Sequence, residues 1–154
     1  MRKFCTILAL GLGLMLFRAP MGFASNNKIN NSGGSGGTEI KNELRAHLTA
    51  GTAYPKAKGR AKYETETKTK TTAGVTTTTT SSEFSVGVSK TGLAVGTVLT
   101  VSVGGASVGT ATVSKHGANL RLSTEHGNTV PTVTAGTAIS ITDPSGAVVA
   151  SGSF

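Results

Sequence analysis

Between Lys58 and Lys70 the chain alternates without exception. Even positions carry Lys58, Arg60, Lys62, Glu64, Glu66, Lys68 and Lys70; odd positions carry Gly59, Ala61, Tyr63, Thr65, Thr67 and Thr69. A period of two is the repeat of an extended chain, whose successive side chains point to opposite faces. A helix would scatter the same charges around its circumference. The segment therefore reads as a strand with one charged face in water. Its other face passes from apolar Ala61 and Tyr63 to threonine, so the strand is expected to leave the core as it proceeds.

The rest of the chain follows suit. Ile40, Leu44, Ala46 and Leu48 fall on alternate positions with charge between them. Ile40, Leu44 and Leu48 also fit a short helix at i, i+4, i+8, but the β character of everything downstream favours a strand over 43–49. Gly51 to Lys58, with Pro55, reads as a loop. Ala73 to Ser82, with five consecutive threonines, reads as an exposed hairpin tip, and the chain returns through Phe84, Val86 and Val88. Further strands are expected at about 97–103, 106–113, 118–124, 137–142 and 147–153. Gly104-Gly105 and Asp143-Pro144-Ser145-Gly146 between them suit tight turns, where glycine supplies positive φ and proline presets its own. The expectation is an all-β fold, a small antiparallel β-sandwich or barrel of about 7–8 strands. Residues 96–102 also echo residues 136–142, and Ala106-Ser107-Val108 echoes Ala147-Val148-Val149, which predicts two similar hairpins within one domain.

The N-terminus has a different logic. Met1-Arg2-Lys3 is basic, Phe4 to Phe17 is apolar, Arg18 and Pro20 end the run, and Gly22-Phe23-Ala24 sets small residues at alternate positions. That order predicts a signal peptide over 1–24, cleaved between Ala24 and Ser25. The apolar run is about 14 residues, short of the ~20 needed to span a bilayer, so the mature chain is expected to have no transmembrane segment. Residues 25–38, rich in Gly, Ser and Asn, read as a flexible linker ahead of a domain over 39–154.

Removing the signal peptide changes the accounting. It takes away Cys5, the only cysteine, leaving a cysteine-free mature chain. It also takes Arg2, Lys3 and Arg18, so fifteen basic side chains become twelve against seven acidic ones, and +8 becomes +5. This moderate positive charge suits an anionic envelope polysaccharide or another envelope protein; an exported chain of this composition is not read as binding nucleic acid. The expected location is secreted, periplasmic or cell-surface.

No constellation for catalysis, a metal or a cofactor emerges. His116 and His126 lie at opposite ends of one strand, ~20 Å apart, too far to share an ion. Glu64 and Glu66 are same-face neighbours, but Lys62 and Lys68 flank them, so they read as a solvated charge ladder. Asp143 is the sole aspartate and lies in a turn, no serine has a nucleophile elbow, and the glycine pairs do not open a helix that could cradle phosphate. Sugar sites usually stack rings on aromatic side chains; the mature chain has Tyr54, Tyr63, Phe84 and Phe154, of which Tyr54 is the candidate exposed ring. The threonines at 65, 67, 69 and 71 form a regular row, but one strand does not make an array.

Leu44-Arg45-Ala46-His47-Leu48-Thr49, followed by Pro55 and Gly59-Arg60-Ala61-Lys62-Tyr63, resembles the opening of secreted chordin-type β-domains, without their His-rich motif. The tail from Leu99 to Phe154, with Val108-Gly109-Thr110-Ala111-Thr112-Val113 and a closing Ser151-Gly152-Ser153-Phe154, is similar to uncharacterised exported bacterial proteins. The resemblance implies a sandwich and no activity. The functional expectation is a non-enzymatic structural, adhesive or interaction module of the envelope. Its interaction surface would include Lys58, Arg60, Lys62, Lys68, Lys70 and the threonines at 76–80. A glycan-binding module using Tyr54 is the alternative, and a hydrolase a distant third.

Overall fold

The computed structural model describes residues 24–32 and 37–154. Residues 1–23, which carry nearly all of the expected signal peptide, lie outside the described residues. The strands are β1 (Ala24–Ser32), β2 (Gly37–Ala50), β3 (Lys58–Thr72), β4 (Val75–Ser89), β5 (Val98–Val103), β6 (Ala106–Thr112), β7 (Ala118–Ser123), β8 (Ala138–Thr142) and β9 (Val148–Ser153). A single 3-10 turn, Thr124–His126, follows β7. Eight strands join in the order β6-β5-β8-β9-β2-β3-β4-β7, all antiparallel, in one nearly closed barrel-like sheet. The end strands β6 and β7 meet through side chains: a Cβ at Gly109 would stand 3.0 Å from Leu120 Cδ2. Of the two architectures expected, the continuous sheet is the barrel.

The echo in sequence is an echo in backbone. Both hairpins, β5–β6 and β8–β9, carry a register shift at the corresponding place, leaving Val108 and Val149 as the extra residues. Each is closed by the same clasp, in which Gly96 N–H donates to Val113 O and Val113 N–H to Thr97 O, just as Gly136 donates to Phe154 and Phe154 to Thr137. β5 and β8 then pair about Val101–Ile141, relating the two hairpins by a local two-fold. A bulge sharpens twist and bends the strand, so two equivalent bulges curl this half toward closure.

The other half is built from longer strands. β2, β3 and β4 run side by side in continuous register, with Ala46↔Ala61↔Val86 and Leu44↔Tyr63↔Phe84 as successive rows. Only their lower ends reach the core. Ala46, Leu48, Ala61, Phe84, Val86 and Val88 are buried together with Leu99, Val101, Ile139, Ile141, Val149 and Phe154. Phe84 and Phe154, both fully buried, meet with ring centroids 6.3 Å apart. Gly59 makes room for this packing, since a Cβ there would come within 2.9 Å of Leu48 Cβ.

Beyond Tyr63 the three strands leave the barrel as an arm roughly 30 Å long. Ala73 to Ser82 forms the exposed end of a hairpin, as its residues suggest, and is strand up to the turn. A two-residue turn at Ala73 (φ 50°) and Gly74 (φ 79°) reverses the chain, and β4 resumes at Val75. Positive φ at both central residues is the geometry that matches hairpin twist. Threonine is a good strand former, and its rows interlock: Thr67–Thr80, Thr69–Thr78 and Thr71–Thr76 are joined hydroxyl to hydroxyl at 3.3, 3.3 and 3.0 Å.

The linker expected over 25–38 also differs. β1 covers most of it, paired with β2 from Ala24↔Arg45, next to the expected cleavage junction at Ser25, to Ser32↔Gly37. β2 bonds β9 only at Thr49 and Ala50, which leaves the edge of its outer part open for β1. The pairing is through the backbone, so a polar, aperiodic sequence supports it without showing it.

Truncating the Phe84 ring should cost roughly 3–5 kcal/mol through lost transfer energy and a residual cavity. Urea denaturation of Phe84→Ala tests this, and a cost near zero would contradict a sealed core at the Phe84–Phe154 contact.

Candidate binding surface

The outer face of β2, β3, β4 and β7 carries the charges that alternation predicts, and register sorts them into rows. Arg45, Lys62, Ser85 and Arg121 form one row; His47, Arg60, Gly87 and Asn119 form the next. Lys58 and Ser89 lie one step further. On the other side, Glu43, Glu64 and Glu83 form an acidic row.

Small residues on β4 hollow out the middle of this face. Ser85, Gly87 and Ser89 lie between the long side chains of β3 and those of β7, and a Cβ at Gly87 would meet only Ala118 O, at 3.8 Å. Two contiguous depressions result. One, of about 810 Å³, is lined by Lys58, Arg60, His47, Gly87, Ser89, His116 and Asn119 among others. The other, of about 330 Å³, shares His47, Arg60, Gly87 and Asn119 and adds Arg45, Lys62 and Arg121. Together they make an open trough along β4.

The two ends of the trough differ in charge. At the arm end the cations are spoken for: Arg45 pairs with Glu43, Lys62 with Glu64 at 3.1 Å, and Arg121 with Glu83 at 2.7 Å. The bonded carboxylates hold the Arg45 and Arg121 guanidiniums above their ordinary range. At the barrel end, among the described residues, no carboxylate lies within ion-pair distance of Lys58 or Arg60.

Lys68 and Lys70, both expected on the interaction surface, stand further out on the arm. Lys68 holds Glu66 at 2.5 Å, and Lys41 reaches the same carboxylate at 3.5 Å. The Lys68 bond, with the charge of Lys41 behind it, keeps the Glu66 carboxyl below its usual value although its side chain is only 14% exposed. Lys70 is exposed near the turn and has no carboxylate within ion-pair distance among the described residues. The structure thus gathers Lys58, Arg60 and Lys62 at the trough and leaves Lys68 and Lys70 outside it.

His47 and His116 were not linked by sequence spacing, yet both line the trough because β3, β4 and β7 bring the β2 strand and the Ser114–Gly117 turn to one face. That turn is tight: a Cβ at Gly117 would overlap Val88 O at 2.2 Å. Among the described residues no three His, Cys, Asp or Glu side chains gather as a metal site, and no helix is long and apolar enough to cross a membrane.

Tyr54, read from sequence as an exposed ring, is half-buried against the core. Its hydroxyl donates to Asp143 in the β8–β9 turn. Asp143 also accepts the Ser145 hydroxyl at 2.6 Å, Ser145 N–H at 2.8 Å and Ala147 N–H at 2.9 Å. The hydroxyl therefore ties the 51–57 loop to the β8–β9 turn, and the ring packs in part against the core.

Comparison with protein families, characterised proteins and solved structures finds no match for this chain. The reading of function rests on geometry and charge alone.

The Asp143 cluster carries a pH signature. Hydrogen bonds from Ser145 and then Tyr54 lower its carboxyl from 3.8 to about 2. A carboxyl lowered by folding stabilises the fold above its unfolded pKa, and that contribution is lost as pH falls toward the folded value. The melting temperature of Asp143→Asn should thus lie below that of the natural chain at neutral pH. The gap should narrow as pH falls from about 4 to about 2; a gap independent of pH would contradict the assignment.

Proposed function

We propose that this chain is an exported, non-enzymatic interaction module of the cell envelope whose trough along β4 holds an anionic polysaccharide. The observation that carries the reading is the cationic barrel end. Lys58 and Arg60 project side by side from β3 with no carboxylate partner among the described residues, whereas Lys41, Arg45, Lys62, Lys68 and Arg121 each hold one. An unpaired pair of cations presents its net positive charge to an external anion; a cation beside a carboxylate presents a locally neutral pair.

Shape supports a polymer as the occupant. The trough is open and elongated, its floor is Ser85, Gly87 and Ser89, and Asn119 adds an amide to the wall. An extended chain bearing carboxylates or sulfates would lie along it, using charge for attraction and the small-residue floor for close approach. The Tyr54 surface is a poorer candidate for neutral sugar, because its hydroxyl is engaged by Asp143 and its ring packs on the core.

Binding to a polyuronate and to neutral dextran, followed by calorimetry, tests the proposal. The polyuronate should bind and the dextran should not. Affinity should fall steeply as ionic strength rises from ~0.05 to ~0.5 M, since the contacts are exposed and screened within a few ångströms at high salt. Lys58→Gln with Arg60→Gln should weaken binding roughly tenfold, each exposed charge contact being worth up to about 1 kcal/mol. Gly87→Val should block the floor while leaving the fold intact. Salt-independent binding, or an unchanged affinity in the double variant, would overturn the reading, and binding of an envelope protein in place of the polymer would do the same for the choice of partner.

A further inference from the structure

We propose that a second copy of this chain docks on the outer edge of β4, strand to antiparallel strand, about a two-fold axis at Thr78. The inference concerns a surface separate from the trough and does not depend on it. β7 covers the outer edge of β4 only from Glu83 to Val88. Just before that, Thr124 seals Ser82: Ser82 N–H donates to the Thr124 hydroxyl at 2.9 Å, and that hydroxyl donates to Ser82 O at 3.4 Å. From Ser81 to the turn the edge has no neighbour among the described residues, and Val75 to Thr80 are exposed.

The Ser82 contacts reveal which backbone groups face outward. In an antiparallel ladder, alternate residues direct both N–H and C=O to the same side. Ser82 points away from β3, so Thr80, Thr78 and Thr76 do too. These three residues present their donors and acceptors to solvent on a straight edge, the arrangement that templates pairing with another strand.

The edge is complementary to itself. Antiparallel pairing about Thr78 sets Thr76 opposite Thr80 of the second copy and Thr78 opposite Thr78, each pair outward-facing on both sides. Three such pairs exchange about six hydrogen bonds. The register ends Val75 against Ser81, so the Thr124 seal of each copy lies just beyond the paired segment and does not obstruct it. Side chains agree with the backbone. No charge, proline or bulge interrupts Val75 to Ser82, the devices that ordinarily protect an edge. Threonine would meet threonine across the axis, as β3 and β4 already do through Thr67–Thr80 and Thr69–Thr78. Even register also keeps the uncharged faces of the two arms on the same side.

Light scattering with size separation over a range of concentrations tests this on the full chain. The natural chain should show a concentration-dependent dimer. Thr78→Pro removes an outward N–H and no backbone bond to β3, losing there only the exposed hydroxyl contact to Thr69, and proline is tolerated where a strand edge faces solvent; it should be monomeric with an unchanged circular dichroism spectrum. Thr78→Lys sets two ammonium groups on the axis and should be monomeric as well, which decides the matter if the proline variant misfolds. A natural chain that stays monomeric at every concentration, or a dimer that survives Thr78→Lys, would overturn the proposal.

Discussion

The structure depends on the double ladder along β3. This strand pairs with β2 over twelve rows and with β4 over fifteen, and its parity decides what every neighbouring side chain faces. A slip of one residue would send Lys58, Arg60 and Lys62 toward the core and Ala61 to water, so register is held by burial at one end of the strand. Leu48, Ala46, Phe84 and Val86 supply that burial. The arm has no core of its own, yet it inherits the same register through an unbroken backbone ladder. Core and arm are thus one sheet in which the buried end sets the alignment of the exposed end.

Charge on the arm works with this alignment. Lys41, Glu66 and Lys68 interlock across β2 and β3, and Glu39 bonds Lys41 at 3.2 Å. Exposed pairs of this kind contribute little stability each. Their value is in orientation: Glu39 faces Lys68 and Lys41 faces Glu66, while the like-charge rows Glu43–Glu64 and Arg45–Lys62 lie next to each other so that each cation finds a carboxylate on the adjacent row. The other face has no charges, and its threonine rows use hydroxyl contacts to the same end. Sequence spacing exposes one such row on β3; the hairpin turn at Ala73-Gly74 adds the matching row on β4.

The same alignment builds the trough. Arg60 and Lys62 rise on β3, Asn119 and Arg121 on β7, and β4 separates them with Ser85, Gly87 and Ser89. Nothing in the local pattern of β4 marks these small residues as a floor, since alternation there only says that Phe84, Val86 and Val88 point inward. The partner of Tyr54 is hidden from sequence for a related reason. A tyrosine beside proline in a loop looks free, but Asp143, distant in sequence, takes its hydroxyl. β1 was illegible because backbone pairing on the open edge of β2 needs no apolar period.

By itself the sequence determined the β character, the alternation of faces, most strand positions and the repeated hairpin, because period, turn residues and strand propensity are local properties. It also showed that the charges of 58–70 share one face. Tertiary structure decided that the sheet curls into a barrel, that the arm projects, and that Lys58 and Arg60 have no carboxylate within ion-pair distance among the described residues while Lys62 and Arg45 are paired. Those outcomes depend on which strands lie side by side, and strand order is set by burying Phe84, Phe154 and the two bulged hairpins in one core. The alternating strand from Lys58 to Lys70 was legible from its residues alone; its division into a middle stretch of paired charges, Lys62 to Lys68, and a cationic end at Lys58 and Arg60 was not.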